Sequence, residues 1–342
     1  MKKTLIIDGS VFLYTPLFGT NSRETKRLKL KPNENGKIDF NLYKDIYEYT
    51  LYDNLSTMKN KFQVDEIVFA VDAQGYWRKD IWSGYKHSRK AGRDNSPIEW
   101  DKARVIMNEF IDTLRNDTSI KVVEVDTAEA DDVGFVLSEE LSKRGHEVIL
   151  YTTDHDWLYN LEHDNVKVWK LSVTTGKDLS KFVEVAPEDL VMERLDHVIG
   201  GDTGDYIKNV KAYSVFSPEF IKKYPKVKPI NVWDKRHEID LSFEEKYGVS
   251  AYKHPRFGLK TYIKYCEKNS LTLDGFLKLD PIYRKNYELN CKLAFPEGVP
   301  KQIREDIIKT YDNASTEANY GKLVEEFTEK GMFDLIGKIT LL

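Results

Sequence analysis

The sequence predicts an α/β fold with a mostly parallel central sheet flanked by helices. Two features carry that expectation. Over the first two thirds of 342 residues, short runs rich in Val and Ile alternate with longer periodic stretches. That order of strand, helix and strand suits a parallel sheet covered on both faces. The composition, 41% hydrophobic and 32% charged, is that of an ordinary globular chain able to bury its own core.

The elements follow in order. Thr4–Ile7 reads as a first strand, and the apolar run of MKKTLIIDGS stops at Asp8 without the small-residue cleavage site of a signal peptide. Residues 20–41 are polar, punctuated by Pro and Gly, and read as a long loop or small insertion. Next come a helix over Leu42–Phe62, a strand over Glu66–Val71, a helix over Trp100–Leu114 and a strand over Lys121–Val125. A helix over Ala130–Lys143 leads to a strand over Val148–Thr152. Beyond Gly200 the chain turns Lys- and Tyr-rich and mainly helical, most clearly at Leu259–Glu267, Pro281–Leu293 and Val299–Tyr311. The expected division is therefore 1–200 and 201–342, with a soft boundary.

Several classes are excluded. No apolar run reaches the roughly 18–20 residues of a bilayer span, so no membrane association is expected. Two cysteines, Cys266 and Cys291, make neither a disulfide framework nor a thiolate zinc site, which suits a reducing cytoplasm. Seven histidines form no HExxH pair, and neither GxGxxG nor GxxxxGK[ST] occurs. Asp8 lacks the second Asp two positions on that a phosphatase nucleophile carries; Ser10 stands there.

The net charge of −4 hides segregation. Tyr76–Arg93 holds six basic residues against Asp80, and Tyr206–Arg236 holds eight against Glu219 and Asp234. Acids cluster where apolar runs stop: Asp8, Asp72, then Glu129, Asp131 and Asp132, then Asp154 and Asp156, then Asp202 and Asp205. In a parallel sheet the functional crevice lies beyond the carboxyl ends of the strands. Nine carboxylates gathered there would repel one another unless cations neutralise them. Mg²⁺ takes oxygen ligands, and the count suits two ions, which at about 3.5–4 Å separation clamp the attacking and leaving oxygens of a phosphoryl displacement.

Singly, each acid has a plainer reading as a turn residue, a helix cap or a partner of the helix dipole. In register with a βαβ pattern, the set is hard to explain that way. Residues 75–93 (GYWRKDIWSGYKHSRKAGR) interleave four aromatics with six cations, as surfaces that bind single-stranded nucleic acid do.

Taken in order, these motifs resemble the flap endonuclease / 5′→3′ exonuclease family, and within it the ribonuclease H type of T-even bacteriophages. The block VDAQGYWRKDIWSGYKHSRK is similar to the family's second acidic strand running into its helical arch. DTAEADDV, TTDHDW and GGDTGDYI are similar to its later acidic motifs. The resemblance implies a PIN-like 5′-nuclease fold with an arch at about 75–95 and a helical C-terminal region that binds duplex DNA. By that resemblance Asp8, Asp72, Glu129 and Asp131 would hold one metal and Asp154, Asp156, Asp202 and Asp205 a second, with Asp131 or Asp132 near the bridge. Lys86 and Arg89 would be catalytic, with Tyr85 beside them at the bases. Arg78 and Lys79 would stand at the arch entrance, with Lys90 and Arg93 further along it. Lys208, Lys211, Lys222 and Lys223 would bind the duplex. The run after GDTGD departs from the cellular members, for Tyr206 replaces Asn and no GxG follows, which puts a potassium site in doubt.

The implied activity is metal-dependent hydrolysis of phosphodiesters in RNA–DNA hybrids and in duplex or flap DNA, removing RNA primers from lagging-strand fragments. Two Mg²⁺ would serve, with Mn²⁺ as substitute. The resemblance also implies a monomer in the bacterial host cytoplasm and a single-strand DNA-binding protein as replication partner. Two other readings stay open, a PIN-like endoribonuclease and a non-catalytic binder of branched DNA.

Overall fold

The computed structural model describes residues 1–17, 33–38, 40–87, 97–174 and 177–342. They form two compact units, one of residues 1–76, 92–185 and 299–342, the other of 77–91 and 186–298.

The first unit is built on a six-stranded sheet. Strand β1 (Lys3–Asp8) is followed by helix α1 (Lys44–Phe62), β2 (Glu66–Ala70), α2 (Trp100–Asp117), β3 (Lys121–Val123), α3 (Ala130–Lys143) and β4 (Glu147–Thr152). Then come β5 (Val166–Lys170) and β6 (Lys181–Val183). The spatial order is β3-β2-β1-β4-β5-β6, parallel except for β6, which runs antiparallel to β5. β1 pairs with β2 on one side and β4 on the other, so the winding direction reverses beside β1. Such a switch point opens a crevice at the carboxyl ends of the two strands. Asp8 closes β1, and Asp154 lies two residues beyond β4.

The pleat sends alternate side chains to opposite faces. Leu5, Ile7, Ile67, Phe69, Ile149 and Tyr151 join the core that holds α1 and α2. The other face, with Ile6, Val68, Leu150 and Thr152, is covered by α3. Burial on both faces is why these strands read as nearly continuous apolar runs.

In the second unit, α4 (Pro187–Gly200), α5 (Arg236–Tyr247), α6 (Leu259–Asn269) and α7 (Pro281–Ala294) are its longer helices. Val198, Ile199, Val210, Phe257, Tyr262 and Phe276 form its core. The chain then returns to the first unit. There α8 (Lys301–Asn313) packs on α3 and β3, and α9 (Tyr320–Glu329) packs on α2. Leu323, Phe327, Met332 and Leu335 lie in the same cluster as Leu5 and Ile7.

The compact units thus depart from a division at residue 200. Residues 186–200 belong with the second unit, and 299–342 complete the core of the first. An amphipathic helix must cover an apolar face, and the face left open by α1 and α2 is the one α9 fills. Most of the expected 20–41 loop, and residues 88–96 of the expected arch, lie outside the described residues.

At the amino-terminal end of the sheet, Glu66 is 7% exposed and joins sheet to α8. It accepts from Lys2 Nζ (2.8 Å) and from the Tyr311 hydroxyl (2.6 Å), with Lys121 Nζ 3.3 Å away. Burial alone would raise its pKa, yet the Lys2 and Tyr311 hydrogen bonds and the Lys121 charge hold it below the ordinary glutamate value. A lowered folded pKa stabilises above the unfolded value of about 4.3 and is lost as pH falls through the folded one. Glu66→Gln is expected to cost about 1–2 kcal/mol at pH 7, where Lys2 remains half in solvent. Urea unfolding should show that difference shrinking at pH 3.5; a gap independent of pH would assign it to packing.

Candidate metal centre and nucleic-acid interface

In the first unit the acids meet through their hydrogen-bond partners. Asp8, 3% exposed, accepts the Val11 N–H at Oδ1 (3.1 Å) as the chain turns into the helix of residues 9–17. The Thr152 hydroxyl donates to its Oδ2 (2.8 Å) and itself accepts the Asp154 N–H (2.9 Å). Asp154 Oδ1 takes the Asp156 N–H (3.0 Å). Asp72 accepts the Ser10 hydroxyl and, at 2.8 Å, the N–H of Ala130, the first residue of α3. A carboxylate at that helix end also gains from the dipole.

Helical rotation separates the three acids of DTAEADDV. Glu129 is the N-cap and Asp132 the third residue of α3, and they cap one another reciprocally, with Glu129 N–H donating to Asp132 Oδ2 (3.0 Å). Asp132 is fully buried. Asp132, expected among the metal ligands, has its Oδ2 turned to the Glu129 N–H at the start of α3. Asp131, one residue earlier, is half-buried, and Trp157 Nε1 donates to its Oδ1 (2.6 Å). Trp157 lies so close to α3 that a Cβ on Gly134 would come within 2.6 Å of its ring. A glycine is required there for the indole to reach Asp131.

Ser10, Thr152 and Trp157 escaped the sequence reading. Small hydroxyl residues beside acids have no pattern of their own, although Trp157 stands next to Asp156 in the DHDW motif. Burial pushes the Asp8 carboxyl up to about 7, and the Asp72 and Asp154 charges push the same way against the Val11 and Thr152 hydrogen bonds. An all-oxygen set of Asp8, Asp72, Asp131 and Asp154, with charges that oppose one another, fits a hard divalent cation.

In the second unit, Asp202 and Asp205 sit on the loop after α4. Asp202 accepts the Gly204 N–H (2.7 Å). Asp205 accepts the Tyr85 hydroxyl at Oδ2 (2.8 Å), and the same oxygen lies 3.8 Å from Lys86 Nζ. The Lys86 N–H donates to the Asp205 carbonyl (2.9 Å), and Lys86 takes the left-handed φ of 55°. Tyr85 and Lys86 are both buried, so the described part of the expected arch is folded onto this loop.

The other cations divide. Arg78 is 5% exposed and donates Nε to the Leu293 carbonyl (2.9 Å) at the end of α7. It braces the end of α7 from there. Lys211 Nζ stands 4.3 Å from the Phe257 ring and 4.8 Å from that of Tyr265, in an aromatic cage completed by Phe276 and Tyr283. Its charge faces those rings. Lys208 lies over the Tyr206 ring at 3.7 Å. Lys79, Lys222 and Lys223 are exposed. Arg89, Lys90 and Arg93 lie outside the described residues.

The raised Asp8 pKa has a sign that can be tested. Between about pH 4, the unfolded value, and pH 7 the folded chain binds more protons, so metal-free stability falls as pH rises through that window. Asp8→Asn is expected to melt above the wild type in EDTA at pH 8, with the gap closing towards pH 4. A gap that does not change over that range would mean the carboxyl is ionised throughout.

Comparison with known proteins adds the family. Residues 3–195 match the family model described as 5′-3′ exonuclease, N-terminal resolvase-like domain. The chain is 26% identical over 277 residues to the ribonuclease H of Enterobacteria phage T4, covering 80% of this chain and 78% of that protein. It is 24% identical over 238 residues to the 5′-3′ exonuclease of Buchnera aphidicola subsp. Schizaphis graminum (strain Sg), covering 67% and 73%. The solved T5 5′-exonuclease with bound zinc superposes with a TM-score of 0.50 at 14% identity, over 92% of this chain and all of that one, which bears on the fold. No described helix is long and apolar enough to cross a membrane. A family match that spans more than half of its length makes this chain a member of the 5′-3′ exonuclease family.

Proposed function

We propose that this protein is a divalent-metal-dependent 5′ nuclease that acts on RNA–DNA hybrids and on duplex or flap DNA, removing RNA primers from lagging-strand fragments. The observation that supports it most is the web joining Asp8, Asp72, Asp131 and Asp154 at the switch point of the sheet. Those four, with Glu129 and Asp156, would hold one Mg²⁺ or Mn²⁺. Asp202 and Asp205 would supply carboxylates to a second. Bound divalent ions would supply Lewis-acid stabilisation of the attacking and leaving oxygens. The chain's own residues do the rest. Trp157, Ser10 and Thr152 fix the carboxylate orientations, and Lys86 and Arg89 are the cations proposed for the reacting phosphate. Lys208, Lys211, Lys222 and Lys223 are proposed to track the duplex. A host-cytoplasmic site of action and a single-strand DNA-binding partner accompany this reading.

Cleavage of 5′-labelled RNA–DNA hybrid, nicked duplex and flap DNA in Mg²⁺, and its loss in EDTA with binding retained, is the direct test. Cleavage unaffected by EDTA would sink the proposal. Asp131→Asn should lower the single-turnover rate by about 10²-fold or more while duplex binding persists, since it removes a ligand and no phosphate contact. Lys86→Ala should slow the chemical step by about 10²-fold and weaken binding in Ca²⁺ by less than about tenfold. Loss of binding with an intact chemical step would make Lys86 an electrostatic guide instead.

A further inference from the structure

Asn286 and Asn290 stand one helical turn apart on α7, and both are buried, at 4% and 2% exposure. The Asn286 amide nitrogen donates to the carbonyls of Val210 (3.0 Å) and Ala212 (2.6 Å), and its oxygen accepts Trp233 Nε1 (2.9 Å). The Asn290 amide nitrogen donates to the carbonyls of Val198 (2.9 Å) and Lys208 (2.8 Å). Four main-chain carbonyls are thus held by two amides, and all four belong to the segment that carries Asp202 and Asp205.

That segment is a closed loop. The Val210 N–H donates to the Ile199 carbonyl (3.0 Å) at its base, and the Ile207 N–H donates to the Asp202 carbonyl (2.7 Å) within it. Gly201, at φ 75°, allows the tight crossing: a Cβ there would meet the Ile207 carbonyl oxygen at 2.3 Å. Tyr206 also holds a left-handed φ, of 62°. The loop therefore sits in a conformation that local preference does not favour, and it persists because its surroundings over-determine it. Its base rests on the asparagines. Its far side, through Asp205, holds Tyr85 and the main chain of Lys86.

We propose that Asn286 and Asn290 are positioning residues, which set the Asp202–Asp205 loop and, through Asp205, the place of Lys86. This rests on the reading of Asp202 and Asp205 as metal-holding carboxylates. An aliphatic side chain of similar size would fill the space and leave buried carbonyls unpaired. An aspartate of the same shape would set a carboxylate against them. The amide is therefore the group the site requires, much as outer-shell hydrogen bonds orient the ligands of metal sites.

The test uses the full chain with Asn290→Asp, and with Asn290→Ala as a neutral donor deletion should the aspartate variant fail to fold. Leu277→Ala, in the core of the same unit, controls for general destabilisation. Hydrogen exchange at the Ile207 and Val210 amides should quicken in the Asn290 variants by about tenfold or more and stay at the wild-type rate in Leu277→Ala. Mn²⁺ titration should show the weaker of two ions losing about 10- to 100-fold in affinity in the same variants, with the tighter one unchanged. Unchanged exchange in the Asn290 variants overturns the inference, and so does quickened exchange with both Mn²⁺ affinities intact. Quickened exchange in a protein whose wild type binds a single Mn²⁺ supports the loop role and overturns the two-ion reading.

Discussion

Mutual repulsion among carboxylates is the constraint around which the first unit is arranged. Asp8 closes β1, Asp72 and Asp154 lie just beyond β2 and β4, and Asp131 stands in the first turn of α3; burial, with the Asp72 and Asp154 charges beside it, makes Asp8 harder to ionise. The fold meets this cost with fixed donors. Main-chain N–H groups of Val11, Ala130 and Asp156 and the side chains of Ser10, Thr152 and Trp157 each hold one carboxylate oxygen. These donors orient the acids but carry no full positive charge. The centre is thereby shaped by neutral donors, and a divalent ion entering it would meet carboxylates already oriented.

The second unit solves a different problem. Its acids stand on a loop and not at strand ends, so no sheet fixes them. Order comes from paired amides below, a glycine at the crossing, and contacts above to Tyr85 and Lys86. The same unit sets cations against aromatic faces, as Lys211 in its cage and Arg236 over Trp233 (3.7 Å) show. A basic stretch in this chain is thus only partly a basic surface.

What could be read from the sequence follows from what is local. Strands β1 to β4 are short runs of Val, Ile and Leu buried on both faces, and their ends fall within two residues of the positions the sequence predicts. The order of the acids and the crevice beyond the strands follow from the same pattern. β5 and β6 give no such signal, because VKVWK is broken by Lys167 and Lys170 and KFV is three residues long. Charge counting placed Arg78 on a surface, whereas its partner, the Leu293 carbonyl, stands 215 residues away. Asp131 and Asp132 look alike in sequence, and only their rotation about α3 parts them. Nothing local in α9 tells which of two cores its apolar face will cover.

That last placement bears on how the protein comes into being. The apolar cluster of the first unit joins Leu5 and Ile7 to Phe327 and Leu335. As the ribosome delivers the chain, β1 to β4 emerge early, with the face of α1 and α2 still bare. The stretch 186–298 emerges next and carries most of its own core, so it can close while the earlier sheet awaits its cover. Synthesis order and folding order therefore part company. A nascent nuclease unit gains its full core only after the loop bearing Asp202 and Asp205 has been made, so a truncated product stopping near residue 200 would expose apolar surface and present an incomplete set of acids.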